Sequence, residues 1–178
     1  MNLYVSAFNA GLSVSPGLRV VYDIEGNQAH TGAVTIDGPS LVWEIGESDE
    51  GAALSAPVDL DPTNDWLARC DRVDFPPGGI AYRHTHPGPG IRVLLHGSIR
   101  IDSEGTSREY GPLQPWFESG PEPVFAQASA TLKTAFVRVL LLPAEWQGRR
   151  TISYVNPADA DEPKTQRATV FLEVPIVF

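Results

Sequence analysis

Two histidines, His84 and His86, lie two residues apart in a segment bounded by glycine- and proline-rich turns. In a β-strand, residues i and i+2 project from the same face, so both imidazoles are expected to enter one space. Imidazole is the commonest side-chain ligand for transition metals near neutral pH. The pair predicts either two ligands of a divalent ion such as Fe, Mn, Ni or Zn, or two histidines that line a polar cavity without metal. Tyr82 has the same parity and is expected to be a cavity donor or a core aromatic.

A third histidine, His96, lies in the strand that follows the turn at residues 87–90. Arg92 and His96 share one face of this strand, and its other face is apolar, with Ile91, Val93 and Leu95. The intervening Pro-Gly-Pro-Gly turn interrupts the alternation, so parity leaves two arrangements open. In one, Arg92 and His96 face the histidine pair and His96 is a third ligand. In the other, both lie on the outer face.

Arg92 and Arg138 are arginines within otherwise apolar strands. A buried guanidinium is costly unless it is paired, and its planar fork matches a carboxylate or a phosphate. Each arginine is therefore a candidate anchor for a small organic acid. The alternative is a salt bridge to one of the 22 acidic residues, or a head group that reaches solvent at the edge of the strand.

Composition restricts the class of protein. A chain of 178 residues with 16 Gly and 16 Pro, whose apolar residues come in short alternating runs, favours one all-β domain. The formal net charge of −9 argues against nucleic acid or an anionic membrane as partner. The single Cys70 excludes an intramolecular disulfide, and we see neither a signal peptide nor an apolar run of roughly 20 residues. We therefore expect a cytoplasmic protein.

The order of turns and apolar runs predicts strands and few or no helices. Residues 46–64 are acidic and irregular and are expected to form a long surface excursion, and 156–166 a polar loop. Four prolines in 111–123 exclude a helix and a central strand there. The predicted strands are 18–24, 32–36, 41–45, 66–75, 98–102, 107–110, 134–142, 149–154 and 168–178.

The spacing of these features resembles the first motif of the cupin superfamily. Gly78 stands five residues before His84-Thr85-His86, and Gly97 closes the motif. The glutamate that the motif carries would fall on Gly90 or Ile91, so this carboxylate ligand is absent.

The second motif is only partly present. Gly120 fits its Pro-x-Gly glycine, Pro123 replaces its histidine, and Gln127 falls at its asparagine position. The chain also resembles uncharacterised cupins that share the His-x-His-x-Gly-Pro-Gly-Ile-Arg core and a Trp-Phe-Glu-x-Gly-Pro-Glu-Pro segment. This second resemblance does not indicate an activity.

The resemblance implies a double-stranded β-helix, or jelly-roll barrel, with extra N- and C-terminal strands. The barrel motifs occupy about 66–142, while strands in 18–45 and at 168–178 extend or wrap the barrel within one domain, 1–178. Trp116 is expected at the mouth of the barrel or as a core plug. The implied cavity residues are Tyr82, Arg92, Trp116, Gln127 and Arg138.

Two functions from different classes follow. In the first, the chain is a small metalloenzyme that acts on a small organic acid. Cupins include dioxygenases, isomerases, decarboxylases and lyases, so the resemblance leaves the type of reaction open. In the second, it is a non-catalytic or structural module that binds a small ligand without metal. The apolar terminal strands and the resemblance also predict a homodimer.

Overall fold

The computed structural model describes residues 1–47 and 51–177, and within these ranges the chain forms seventeen strands and two short 3-10 helices. The helices are Ala144–Trp146 and Pro157–Ala160. The strands are β1 (Asn2–Phe8), β2 (Leu12–Val14), β3 (Arg19–Asp23), β4 (Gln28–His30), β5 (Val34–Ile36), β6 (Ser40–Gly46), β7 (Leu54–Pro57), β8 (Trp66–Phe75), β9 (Ile80–Thr85), β10 (Gly90–His96), β11 (Ile99–Ser103), β12 (Thr106–Tyr110), β13 (Pro115–Glu118), β14 (Val124–Ala128), β15 (Thr134–Pro143), β16 (Ser153–Tyr154) and β17 (Arg167–Ile176).

Two antiparallel five-stranded sheets form the barrel. The first barrel sheet has the order β13-β10-β15-β8-β17, and the second has the order β12-β11-β14-β9-β16. Between them lies an apolar core to which both sheets contribute, including Val73, Phe136, Ile101 and Val124. The predicted all-β, jelly-roll class is confirmed by this arrangement.

A third sheet covers the outer face of the first barrel sheet. This N-terminal sheet has the order β4-β3-β6-β1-β7, and its large side chains pack with residues of β8, β10 and β15 in one buried cluster. The middle strands of the first barrel sheet are thus buried on both faces, which explains why β15 is almost continuously apolar. The same burial decides the orientation of β10, whose Ile91 and Val93 pack against the N-terminal sheet while Leu94 enters the barrel core.

The C-terminal segment is tied to the first barrel sheet, whereas the N-terminal β1 pairs with β6 and β7 in the N-terminal sheet. β17 pairs with β8 from Arg167 to Ile176, so the apolar C-terminal segment wraps the barrel as an edge strand. The strand predicted at 168–178 ends at residue 178, which lies outside the described residues.

Several elements differ from the predictions. The predicted excursion 46–64 contains β7, which pairs with β1, while its residues 48–50 lie outside the described part. The predicted strand at 149–154 is reduced to β16, and the predicted loop at 156–166 contains a 3-10 turn. β13 forms within the proline-rich segment, but at the edge of its sheet, where proline removes no ladder hydrogen bond. No helix in the described ranges is long and apolar enough to cross a membrane.

Candidate functional site

His84 and His86 enter the barrel at the end of β9. Their side chains are only 5% and 4% exposed, and their ring centroids lie 4.9 Å apart at an interplanar angle of 84°. His86 follows the last residue of the strand, and its backbone N–H donates to the carbonyl of Gly120 at 2.8 Å. Gly120 has a φ of +105°, and any side chain there would strike the backbone of Gly88. The glycines of both motif loops therefore permit the close approach that fixes His86.

Both histidines present the same ring nitrogen to the interior. His84 Nδ1 lies 2.6 Å from the carbonyl oxygen of Tyr82, and His86 Nδ1 lies 3.0 Å from that of Thr151. A carbonyl only accepts, so each Nδ1 carries the proton and donates it. The lone pair of each Nε2 is thereby directed away from these carbonyls.

The environment keeps both rings neutral at neutral pH. Burial lowers the pKa of His84 below its usual 6.5. Burial lowers the pKa of His86 further, well below 6.5, and the positive charges of Arg138 and Arg92 act in the same direction. Both Nε2 atoms are therefore acceptors at pH 7.

Arg138 is the charged group nearest to His86 Nε2. Its Nη1 donates to His86 Nε2 at 3.2 Å. Its Nε and Nη2 donate to the two oxygens of Asp71 at 2.6 and 3.2 Å, a side-on bidentate pair with a carboxylate that is 0% exposed. Asp71 is shared with Arg69 at 3.3 Å, and Arg69 in turn lies 3.4 Å from Glu173. Arg138, Asp71, Arg69 and Glu173 thus form a row of alternating positive and negative charges that compensate one another.

A second buried ion pair lies beside the first. Arg92 Nη2 is 2.6 Å from Glu118 Oε2, and Arg92 Nη1 donates to the carbonyl of Gly90 at 2.6 Å. Trp116 Nε1 donates to the other oxygen of Glu118 at 2.8 Å. Burial lowers the pKa of Arg92 to about 10 against the opposing effect of Glu118, so the guanidinium stays charged at pH 7.

These groups border a cavity of about 50 Å³ inside the barrel. Its polar lining consists of His84, His86, Glu118, Arg138 and Gln166, and its remaining wall is mainly apolar. Gln166 Oε1 is buried without a hydrogen-bond partner among the described residues. The cavity therefore combines a cationic donor, a carboxylate and free neutral acceptors.

Three predicted site residues lie elsewhere. His96 is exposed at the far end of β10, where its Nδ1 donates to the carbonyl of Lys133 and its Nε2 lies 3.3 Å from Arg72. A register shift between Leu94 and His96 also breaks the alternation that would have turned it inward. The prediction of His96 as a third ligand is therefore wrong.

The predictions that Tyr82 and Gln127 line the cavity are corrected by the register of their strands. Val124 pairs with His84 and Ala126 with Ala81, so β9 carries an extra residue and Tyr82 loses its parity with His84. Tyr82 contributes its carbonyl to the site, and its half-buried side chain is not among those that line the cavity. Gln127 alternates with the inward-facing Val124 and Ala126 and so points away from the cavity.

The other predicted residues occupy the barrel interior in different roles. Arg138 lines the cavity. Arg92 does not line it but forms an ion pair with Glu118, which does. Trp116 plugs the core: its ring lies 5.0 Å from Tyr110 and 5.2 Å from Phe136.

Sequence reasoning missed the acidic partners Asp71 and Glu118. Asp71 shares parity with Arg69 and Val73 on β8, whose other face carries Arg72 and Asp74, so charge alone does not single it out. Glu118 shares parity with Trp116. The sequence predicted a salt bridge to one of the 22 acidic residues but contained no signal that selected these two.

The residues as arranged do not fit a metal centre. In residues 1–47 and 51–177, no group of three or more His, Cys, Asp or Glu side chains is placed to hold a metal ion. The lone pair of His86 already accepts from Arg138, and Glu118 is held by Arg92 and Trp116. A cation at His86 would also lie against a guanidinium, which raises its electrostatic cost in a buried site.

Comparisons with known proteins bear on the fold. No family model matches the chain, and no curated protein matches it. Similar solved structures include an RmlC-like cupin from Shewanella frigidimarina, with 14% identity over 44% of this chain and 68% of that one and a TM-score of 0.40. A Cupin 2 conserved barrel domain protein from Leptotrichia buccalis has 12% identity over 79% and 73%, and a TM-score of 0.42. An oxalate oxidase in complex with the substrate analogue glycolate has 17% identity over 80% and 81%, and a TM-score of 0.39.

Two of these structures are described as cupins, the superfamily that the sequence motifs resemble.

Proposed function

We propose that the barrel binds a small carboxylic acid that also carries a hydroxyl group, and that it does so without a metal ion. The observation that carries this proposal is the guanidinium of Arg138, which lies at the wall of the cavity and does not use all of its N–H donors on described residues. A guanidinium has five N–H donors, and Arg138 uses three of them on Asp71 and His86. One N–H remains on each of Nη1 and Nη2, and we propose that these two donors bind the two oxygens of a carboxylate.

The free acceptors of the cavity favour the hydroxyl group. Gln166 Oε1 is buried without a hydrogen-bond partner among the described residues, and the hydrogen bond seen for His84 uses Nδ1 and not Nε2. A buried acceptor without a donor costs free energy, and a ligand hydroxyl removes that cost. The cavity of about 50 Å³ limits the ligand to a few heavy atoms, on the order of four or five.

The anchor is tested by replacing Arg138 with lysine. Lysine keeps one positive charge but loses the fork, so affinity for glycolate should fall by more than about 1 kcal/mol, the value of one ordinary hydrogen bond. Wild type should also bind glycolate more tightly than neutral glycolamide. Isothermal calorimetry measures both, with exposed Arg100→Lys as the matched control. Equal affinity for the acid and its amide would remove Arg138 as an anchor.

A comparison of glycolate with acetate, which lacks the hydroxyl group, tests the role of that group in binding. Acetate should bind wild type more weakly than glycolate, and His84→Ala should reduce this difference. These two results separate the role of His84 from that of Arg138.

A second candidate function, metal binding by His84 and His86, is favoured by one observation. Each Nδ1 is held by a backbone carbonyl, an arrangement that also orients histidine ligands in metal sites. Metal binding would require Arg138 to leave His86.

We expect that Fe(II), Mn(II), Ni(II) and Zn(II) bind wild type no more tightly than His84→Ala when followed by calorimetry. Under the proposed function, the contact between Arg138 and His86 prevents a two-histidine site. An ion that binds wild type at least ten-fold more tightly than the variant would establish the metal site and refute the metal-free proposal.

A further inference from the structure

A second cavity lies on the opposite face of the first barrel sheet from the histidines. It occupies about 90 Å³ between that sheet and the N-terminal sheet. Trp43 and Leu3 of the N-terminal sheet line one side, and Ala68 and Val139 of the barrel sheet line the other. The walls are thus mainly apolar, and the cavity shares no lining residue with the barrel site.

One buried polar atom in this lining has no partner among the described residues. Arg19 Nε is buried without a hydrogen bond among the described residues, although Arg19 Nη2 pairs with Glu44 at 2.9 Å. The neighbouring Gly17 leaves room beside it, because a Cβ at Gly17 would lie 3.1 Å from both Nε and Nη2. The indole N–H of Trp43 is already used, donating to the carbonyl of Ile91 at 3.1 Å. The buried donor that a ligand would find here is therefore Arg19 Nε, whereas Thr31, which also lines the cavity, is exposed.

We propose that this cavity is a second ligand site, which binds a small uncharged apolar compound through a single carbonyl oxygen. The apolar walls select the body of the ligand, and Arg19 Nε–H donates to its oxygen. The ligand is neutral because this cavity offers one buried unpartnered donor, Arg19 Nε–H, which suits a single carbonyl oxygen and not the two oxygens of a carboxylate. The volume accommodates about six to nine heavy atoms.

Three six-membered-ring compounds test the proposed chemistry by calorimetry. Cyclohexanone has the carbonyl, methylenecyclohexane has the same shape without it, and cyclohexanecarboxylate carries a charge. Wild type should bind cyclohexanone about five-fold more tightly than methylenecyclohexane, the ratio expected for one hydrogen bond. The carboxylate should bind most weakly. Failure of wild type to bind cyclohexanone, or equal affinity for all three compounds, would overturn the proposal and leave the cavity a void between the sheets.

Variants locate the site. Arg19→Lys keeps a cation for Glu44 but lacks Nε–H, so it should abolish the difference between cyclohexanone and methylenecyclohexane. Ala68→Val narrows this cavity and should weaken the binding of cyclohexanone and of methylenecyclohexane at least five-fold. Ala81→Val narrows the barrel cavity instead and should leave both affinities unchanged. Cooperative unfolding of each variant establishes that it is folded, and loss of cyclohexanone binding in Ala81→Val but not in Ala68→Val would contradict the assignment.

Discussion

Glu118→Leu should lower the free energy of unfolding by about 3–5 kcal/mol, because it leaves a buried guanidinium without its counter-charge. Arg92 is 0% exposed, and its Nη2 lies 2.6 Å from Glu118 Oε2. Leucine also removes the acceptor of the Trp116 indole N–H. Urea unfolding followed by circular dichroism measures the change.

The double variant Arg92→Met/Glu118→Leu distinguishes the loss of a partner from the loss of the pair. Replacing both charges with apolar groups of similar size is often close to neutral, so the double variant should regain most of the lost stability. Arg100→Met, which breaks an exposed pair with Asp102, should cost less than about 1 kcal/mol. A double variant no more stable than Glu118→Leu would show that the charge of Arg92 is not the cause.

Acidification below pH 6.5 should destabilise the protein through its two buried histidines. Burial lowers the pKa of His84, and it lowers that of His86 well below 6.5, whereas the unfolded chain titrates near 6.5. Between the folded and unfolded pKa values the unfolded state binds more protons. Stability is therefore fully present above about pH 6.5 and is lost as the pH falls towards the folded values, by up to about 1.4 kcal/mol per pH unit for each histidine.

Unfolding free energies measured from pH 7.5 to pH 5 test this dependence. His86→Gln keeps an acceptor for Arg138 but cannot be protonated, so its stability should fall less steeply than that of wild type. His96→Gln removes an exposed histidine and is the matched control. Equal slopes for wild type and His86→Gln would contradict the prediction.

The sequence by itself determined the class of fold and the position of the site. Alternating apolar runs between Gly- and Pro-rich turns excluded helices, and the His-x-His spacing brought His84 and His86 to one interior. Both inferences depend on short-range geometry, since side chains two residues apart share a face of a regular strand.

Only the tertiary structure decided which way β10 faces and what surrounds the histidines. The choice depended on the N-terminal sheet, which buries Ile91 and Val93 and so turns Arg92 inward. The extra residue in β9 likewise turned Tyr82 away, and the shift at the end of β10 placed His96 on the surface. A bulge changes parity by one residue, and no local pattern in these strands marks where it occurs. The partners of the buried arginines were undetermined for the same reason: Asp71 lies 67 residues from Arg138 in the chain, and only the pairing of β8 with β15 makes them neighbours.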